Sequence, residues 1–210
     1  MESLLNPDPF IYSGRKVGLV PANEKHFGFI HEVRSQVEIA PLWQGRRRFP
    51  PLSEYSRFLE NLAHNIFIVV KKSEGCRPIG FIYDYDHNPE DQYTFIASAM
   101  LHADMEKGFG AEANWLLLNW LYETYPLRKV YSDIYGYNQL SLSTVKTAGF
   151  KEEGCFTEHR FWKGRFWNMY RLAMSAKDWE VTRQKYAKVF GRPLQVEPAK
   201  ENKEVVLELS

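Results

Sequence analysis

Cysteine is nearly absent from these 210 residues: Cys76 and Cys155 stand isolated in the sequence. That pattern argues against a disulfide framework and suits thiols in a reducing compartment, so a cytoplasmic location is expected. No apolar run approaches the ~18 residues that suggest a membrane span. Neither sign of charge dominates, since 27 basic and 26 acidic side chains leave a net charge of +1. Bulk electrostatics therefore favour neither nucleic acid nor an anionic membrane as a partner. The histidines (His26, His31, His64, His87, His102, His159) show no metal-ligand spacing, so no metal is expected. The opening Met1-Glu-Ser-Leu-Leu-Asn-Pro-Asp is acidic and lacks the pattern of a signal peptide. No internal repeat is visible.

What is present is ordinary for a soluble globule, with 44% hydrophobic and 25% charged residues. The length suits one domain with a sizeable core. Residues 1–12 read as an N-terminal arm, 13–190 as the domain and 191–210 as a charged, proline-containing tail. Arg15 to Pro21 reads as a strand. Asn23 suits the N-cap of a helix running to about Gln36, and Ser53 the cap of a second. Ile66–Lys71, Pro78–Tyr85 and Tyr93–Leu101 read as strands, with a turn over Lys72–Gly75 and a loop from Asp86. Arg46-Arg47-Arg48 reads as a solvated loop rather than a grip for an anion.

The informative stretch runs from Met105 to Gly154. Gly108 and Gly110 form a glycine turn that opens a strong helix with Ala113, Leu116, Leu117, Trp120 and Leu121 as its buried stripe. Such a turn leaves backbone N–H groups free at the positive end of the helix dipole, which suits a phosphate anion. A β-branched and aromatic segment, Lys129–Tyr135, follows. Then comes Asn138-x-x-Ser141, and then Lys146-x-x-Gly149-Phe150-x-x-Glu153-Gly154.

Taken together these residues resemble motifs A and B of the GNAT acyl-CoA N-acyltransferase superfamily, and in particular its RimJ/RimL-like branch. The resemblance covers roughly residues 12 to 180. It implies an α+β fold: a central mixed, mostly antiparallel, splayed sheet of about seven strands flanked by helices. It implies acetyl-CoA or another acyl-CoA as co-substrate and a primary amine, on a small molecule or a protein N-terminus, as acceptor. Lys107, Gly108, Phe109, Gly110 and Ala111 would then hold the pyrophosphate. Met100 and Leu101 would offer main-chain groups to the pantetheine, joined by Asn138, Ser141 and Lys146. The tyrosine acid common in the family is replaced by Val145, and Ser141 takes its role. Glu153 is the catalytic base candidate in the same reading, beside Glu158, Asp84 and Asp86; Tyr135 and Tyr137 stand as reserve acids. Trp43, Tyr83 and Tyr135 would line the acceptor side. Met105 stands where the family places Arg or Gln, Glu106 where a glycine is frequent, and Asn168 where relatives often have Asp. Met105, Glu106 and Val145 leave a second expectation open, a non-catalytic acyl-CoA-binding or protein-interaction protein on the same fold. A monomer or homodimer is expected.

Overall fold

The computed structural model describes residues 12–43, 50–105 and 107–191. Residues 1–11 of the expected arm, the arginine run, Glu106 and the tail from 192 lie outside the described residues; Tyr12, expected at the end of the arm, instead begins the first strand.

One sheet organises the chain. Its strands are β1 (Tyr12–Ser13), β2 (Val17–Pro21), β3 (Asn65–Lys71), β4 (Arg77–Asn88), β5 (Tyr93–Met100), β6 (Lys129–Tyr135), β7 (Lys151–Trp162) and β8 (Arg165–Ser175). The helices are α1 (Phe27–Ser35), α2 (Tyr55–Leu62), α3 (Phe109–Thr124), α4 (Gln139–Thr147) and α5 (Ala176–Phe190). The sheet order is β1-β2-β3-β4-β5-β6-β8-β7. Only β5 and β6 run parallel, joined by the crossover helix α3, as a parallel pair requires. The expected mixed, mostly antiparallel sheet is therefore present. It has eight strands rather than seven, because two-residue β1 adds to the β2 edge.

Alternation along the strands divides the core between the two faces. Phe67, Val69, Ile82 and Ile96 pack under α3 and α5, against Leu116, Leu117 and Trp179. Ile68, Val70, Phe81 and Tyr83 pack on the other face against Ile30, Val33 and Leu59 of α1 and α2. Helix α3 is the deepest element; Ala113, Leu116, Leu117 and Leu121 are fully buried. Among the described residues no helix is long and apolar enough to cross a membrane.

Local chemistry explains most boundaries. Asn23 caps the turn before α1 as expected: its side chain accepts from the Lys25 N–H, and its own N–H donates to His26 Nδ1. Ser53 does not cap α2. It sits inside a short 3₁₀ turn, Leu52–Glu54, that leads into the helix without a side-chain cap. Strand β4 continues through the expected loop start at Asp86, because a bulge between Tyr85 and Asn88 absorbs an irregular step.

One buried carboxylate joins the first strands to α3. Glu112 is 1% exposed, and its Oε1 accepts the N–H of Lys16 at 2.8 Å and of Val17 at 3.4 Å. A Cβ at Gly14 would stand 2.3 Å from that oxygen, so a side chain there would push the carboxylate off these amides. Glu112→Ala leaves both amides without this acceptor. It is expected to cost about 2 kcal/mol, the scale of a hydrogen bond to a charged group, measured by urea denaturation; a loss below about 0.5 kcal/mol would show the tie to be dispensable.

Candidate active site

The parallel pairing of β5 with β6 is short. It joins Tyr93 to Lys129, Thr94 to Val130 and Phe95 to Tyr131, and then ends. Beyond that point each strand stays with its outer neighbour, β5 with β4 as far as Met100 and β6 with β8 as far as Tyr135. The two strands part, and a cavity of about 550 Å³ opens between them. It passes through the sheet. One side is lined by Gly108, Gly110, Ala111, Asn114, Asn138 and Ser141, and the other by Trp43, Tyr83 and Tyr85.

Helix α3 delivers its N-terminus to this cavity. Gly108 holds φ +79, a left-handed conformation that favours glycine. No side chain caps the helix, so the first N–H groups have no capping acceptor from a side chain. Gly110 serves differently. A Cβ there would meet only Met100 Cγ, at 3.7 Å, an ordinary contact, so glycine at this position keeps space open rather than relieving strain.

The exposed edge of β5 follows from alternation, since successive residues of a strand turn their N–H and C=O groups to opposite sides. The Leu101 N–H points to β4, donating to Ile79 O at 2.7 Å, and its C=O accepts from Asp104 N at 2.9 Å. Both main-chain groups of Leu101 are thus engaged away from the gap, so the expectation for it lacks geometric support. By the same phase Met100, Ser98 and Ile96 face the gap.

Several expected site residues meet at the cavity and others do not. Met100, Gly108, Gly110, Ala111, Asn138, Ser141, Trp43, Tyr83 and Tyr135 all line it, as do Met105 and Val145. Asn138 caps α4: its Oδ1 accepts the Ser141 N–H at 3.2 Å, which sets Ser141 in the first helical turn. Phe109 instead points into the core. Lys107 is exposed and donates to Ala103 O at 2.5 Å. Lys146 is ion-paired with Glu152 at 2.9 Å on the surface. Glu153 is not brought to the cavity. It lies on β7, ion-paired with Lys129 at 2.6 Å, so the catalytic expectation for it lacks geometric support. The other carboxylates considered fare no better: Glu158 and Asp86 are exposed, and Asp84 is buried on β4 with His64 and His87, outside the cavity. Asn168 Oδ1 accepts the Glu158 N–H at 3.0 Å, which supports a bulge in β7.

Side chains that the sequence did not single out complete the walls. Asp133, on β6, forms a two-pronged ion pair with Arg171 at 2.9 and 2.7 Å. The partner is set by register across β6 and β8, and a lone aspartate in an aromatic strand was the only local hint. Tyr85 joins Tyr83 in the wall. Burial pushes the pKa of both phenols far up, so they stay protonated and act as O–H donors. Trp43 stacks on Phe81 and Tyr83 with ring centroids 5.4 and 6.0 Å apart, and Arg34 lies 4.9 Å over its ring. Arg160 Nη1 donates to the Tyr135 hydroxyl at 3.1 Å and its Nη2 donates to Trp43 O at 3.3 Å. The Tyr137 hydroxyl donates to Pro41 O at 2.6 Å, so this reserve acid is committed to holding the segment that carries Trp43.

A family model described as the acetyltransferase (GNAT) domain matches residues 16–151. No curated protein matches the chain. Among solved structures, it is similar to a spermidine N-acetyltransferase from Vibrio cholerae in complex with CoA and spermine. That match has 19% identity and a TM-score of 0.70, covering 79% of this chain and 98% of that one. A GCN5-related N-acetyltransferase from Brucella melitensis matches at 21% identity and TM-score 0.68, covering 87% and 86%. A GNAT-family acetyltransferase from Bacillus anthracis matches at 16% identity and TM-score 0.67, covering 80% and 99%.

Gly110→Val tests the glycine turn. The valine branches would project toward Met100 and the free N–H groups, while the backbone there needs no left-handed conformation. Coenzyme A binding by calorimetry is expected to fall at least tenfold, with the circular dichroism spectrum unchanged; unaltered affinity would remove the turn from the binding site.

Proposed function

The chain belongs to the GNAT acetyltransferase family, and from that premise we propose that it is a RimJ/RimL-like member acting on primary amines. It is an acetyltransferase that takes its acyl group from acetyl-CoA. The acceptor class proposed is an amine of a small molecule or a protein N-terminus. The observation that carries the reading is the slot through the sheet, with unpaired β5 main chain and a helix N-terminus on one side and an aromatic wall on the other.

The residues of the slot supply each step of acyl transfer. The free N–H groups at the start of α3 suit the pyrophosphate, and the wall beyond Gly110 is open enough to admit it. The pantetheine amides would pair with Ser98 and Met100 as an extra strand would. A main-chain N–H of β5 would donate to the thioester carbonyl and hold the oxyanion as it forms. The acceptor would lie among Trp43, Tyr83, Tyr85 and Tyr135, where protonated phenols donate hydrogen bonds but cannot remove a proton.

An alkyl ammonium has a pKa near ~10, so it must lose a proton before it attacks. Asp133 borders the slot where β6 leaves β5, and we assign it that role, directly or through water. The neutral amine then forms the N–C bond, the nitrogen's second proton passes to solvent as the C–S bond breaks, and the Ser141 hydroxyl gives its proton to the leaving sulfur. Ser141 recovers a proton from solvent. The serine fits this role by its place in the first turn of α4, in the same cavity wall as Val145.

Incubation with acetyl-CoA and a panel of amines, with free thiol followed over time, tests the assignment. Amine-dependent thiol release is expected; none across the panel would favour the non-catalytic alternative. Ser141→Ala is expected to lower kcat by roughly 10²–10⁴-fold while the coenzyme A dissociation constant moves little. A kcat within a few-fold of wild type would move the proton donor elsewhere. Asp133→Asn separates the two ends of the reaction: it is expected to depress kcat most at low pH, where the amine holds its proton. An unchanged pH profile would exclude Asp133 as the base.

A further inference from the structure

On the α3 face of the sheet, away from the slot, three ligand-bearing side chains converge. Asp84 is fully buried on β4. His64 Nδ1 lies 3.3 Å from Asp84 Oδ2 and His87 Nδ1 lies 3.6 Å from the same oxygen. All three donor atoms lie within 4.8 Å of one another. The backbone builds this arrangement. His64, in the connection from α2 to β3, donates its N–H to Asp84 O at 2.8 Å. Strict alternation would send Asp84 and His87 to opposite faces of β4. The bulge after Tyr85, with Asp86 at φ +48, resets the phase and returns His87 to the side of Asp84.

The polar groups here are incompletely matched without a further partner. Among the described residues, the Asp84 carboxylate has no lysine or arginine partner, so only the two imidazoles or a bound cation can balance its buried charge. Buried His87 Nδ1 has no hydrogen-bond partner. The outer groups are well held, however. Asn65 Nδ2 donates to Asp84 Oδ1 at 2.9 Å, and Thr94 Oγ1 to Asp84 Oδ2 at 3.2 Å. Bonds of this kind fix a ligating carboxylate from behind. Two ligands each about 2.1 Å from a tetrahedral ion stand about 3.4 Å apart; the two nitrogen–oxygen separations, 3.3 and 3.6 Å, bracket that spacing, and the two imidazole nitrogens lie within 4.8 Å, so they close in on binding.

We propose that His64, Asp84 and His87 bind one borderline divalent cation of the zinc class. Two imidazoles and one carboxylate are a donor set that suits such an ion. His64 is exposed and opens the site to solvent, so a water completes the coordination. Asn65 Nδ2 also lies 3.0 Å from His64 Nδ1. On binding, Asn65 keeps its bond to Asp84 and the imidazole lone pair turns to the ion. Tyr125, whose ring lies 4.7 Å from that of His87, follows the last residue of α3, whereas the glycine turn is at the first. With sixteen residues the helix is about 24 Å long. The ion therefore does not touch the reacting groups; it ties the α2–β3 connection to the far end of β4.

The test uses the full chain without an affinity tag, freed of metal by chelation. Zn²⁺ alone is titrated by calorimetry, and Co²⁺ binding is read from visible absorption. Expected are one Zn²⁺ per chain, a cobalt spectrum of low coordination number, and a melting temperature that rises with Zn²⁺. His64→Gln and the His64→Gln/His87→Gln pair are expected to weaken binding roughly tenfold or more and to abolish the cobalt bands. Absence of saturable one-to-one binding would overturn the proposal. So would wild-type affinity in the variants, which would place the ion elsewhere. Should the double variant fail to fold, His64→Gln decides alone, since its imidazole is 44% exposed.

Discussion

The parting of β5 from β6 is the constraint on which the site depends. Both strands are held along their outer edges, β5 by β4 and β6 by β8, over nearly their whole length. Neither can relax toward the other without breaking those ladders. The pair stays together only at the Tyr93–Phe95 end, where aromatic rings close the seam: Phe95 and Tyr131 stack with centroids 5.1 Å apart. Arg171 reinforces the junction, lying 4.8 Å over Phe95 while its guanidinium grips Asp133. A ring-filled fulcrum at one end and strand edges without mutual pairing at the other produce a slot of fixed width.

The slot inherits its polarity from the elements on either face. On the α3 side, the polar groups are mainly backbone: a helix N-terminus begun by a left-handed glycine, and the open edge of β5. Main-chain donors of this kind are indifferent to side-chain identity, which is why Met105 and Val145 can stand in the wall without closing it. On the other side the polar groups are side chains, phenols kept protonated by burial and an aspartate balanced by arginine.

Bulges decide which side chains meet. In β7 the register shifts between Phe156 and Arg160. Arg160 thereby reaches Tyr135 and the Trp43 carbonyl, fastening the segment that carries Trp43. In β4 the shift after Tyr85 brings His87 back to Asp84. The shift is two residues in β7 and one in β4, and neither leaves a compositional trace, since Glu158 and Asp86 adopt positive φ without being glycine.

The sequence by itself determined the order of elements from β2 to β6, the glycine turn, the cap at Asn23 and the buried stripe of α3. Each of these is encoded within a few residues, by capping chemistry, backbone freedom or helical period. It also carried the likeness that named the fold and pointed to Trp43, Tyr83, Tyr135 and Ser141 as neighbours. Only the tertiary structure decided what depends on register and on strand phase. Leu101 spends both main-chain groups on β4 and its following turn. Glu153 is drawn to Lys129 across the surface. Asp133 meets Arg171 because β6 and β8 align them. Histidines that show no ligand spacing along the chain converge on Asp84 because a bulge and a loop bring them there. Side-chain direction in a sheet is set by cumulative parity and by hydrogen-bonded partners distant in sequence, and local residue patterns do not record either.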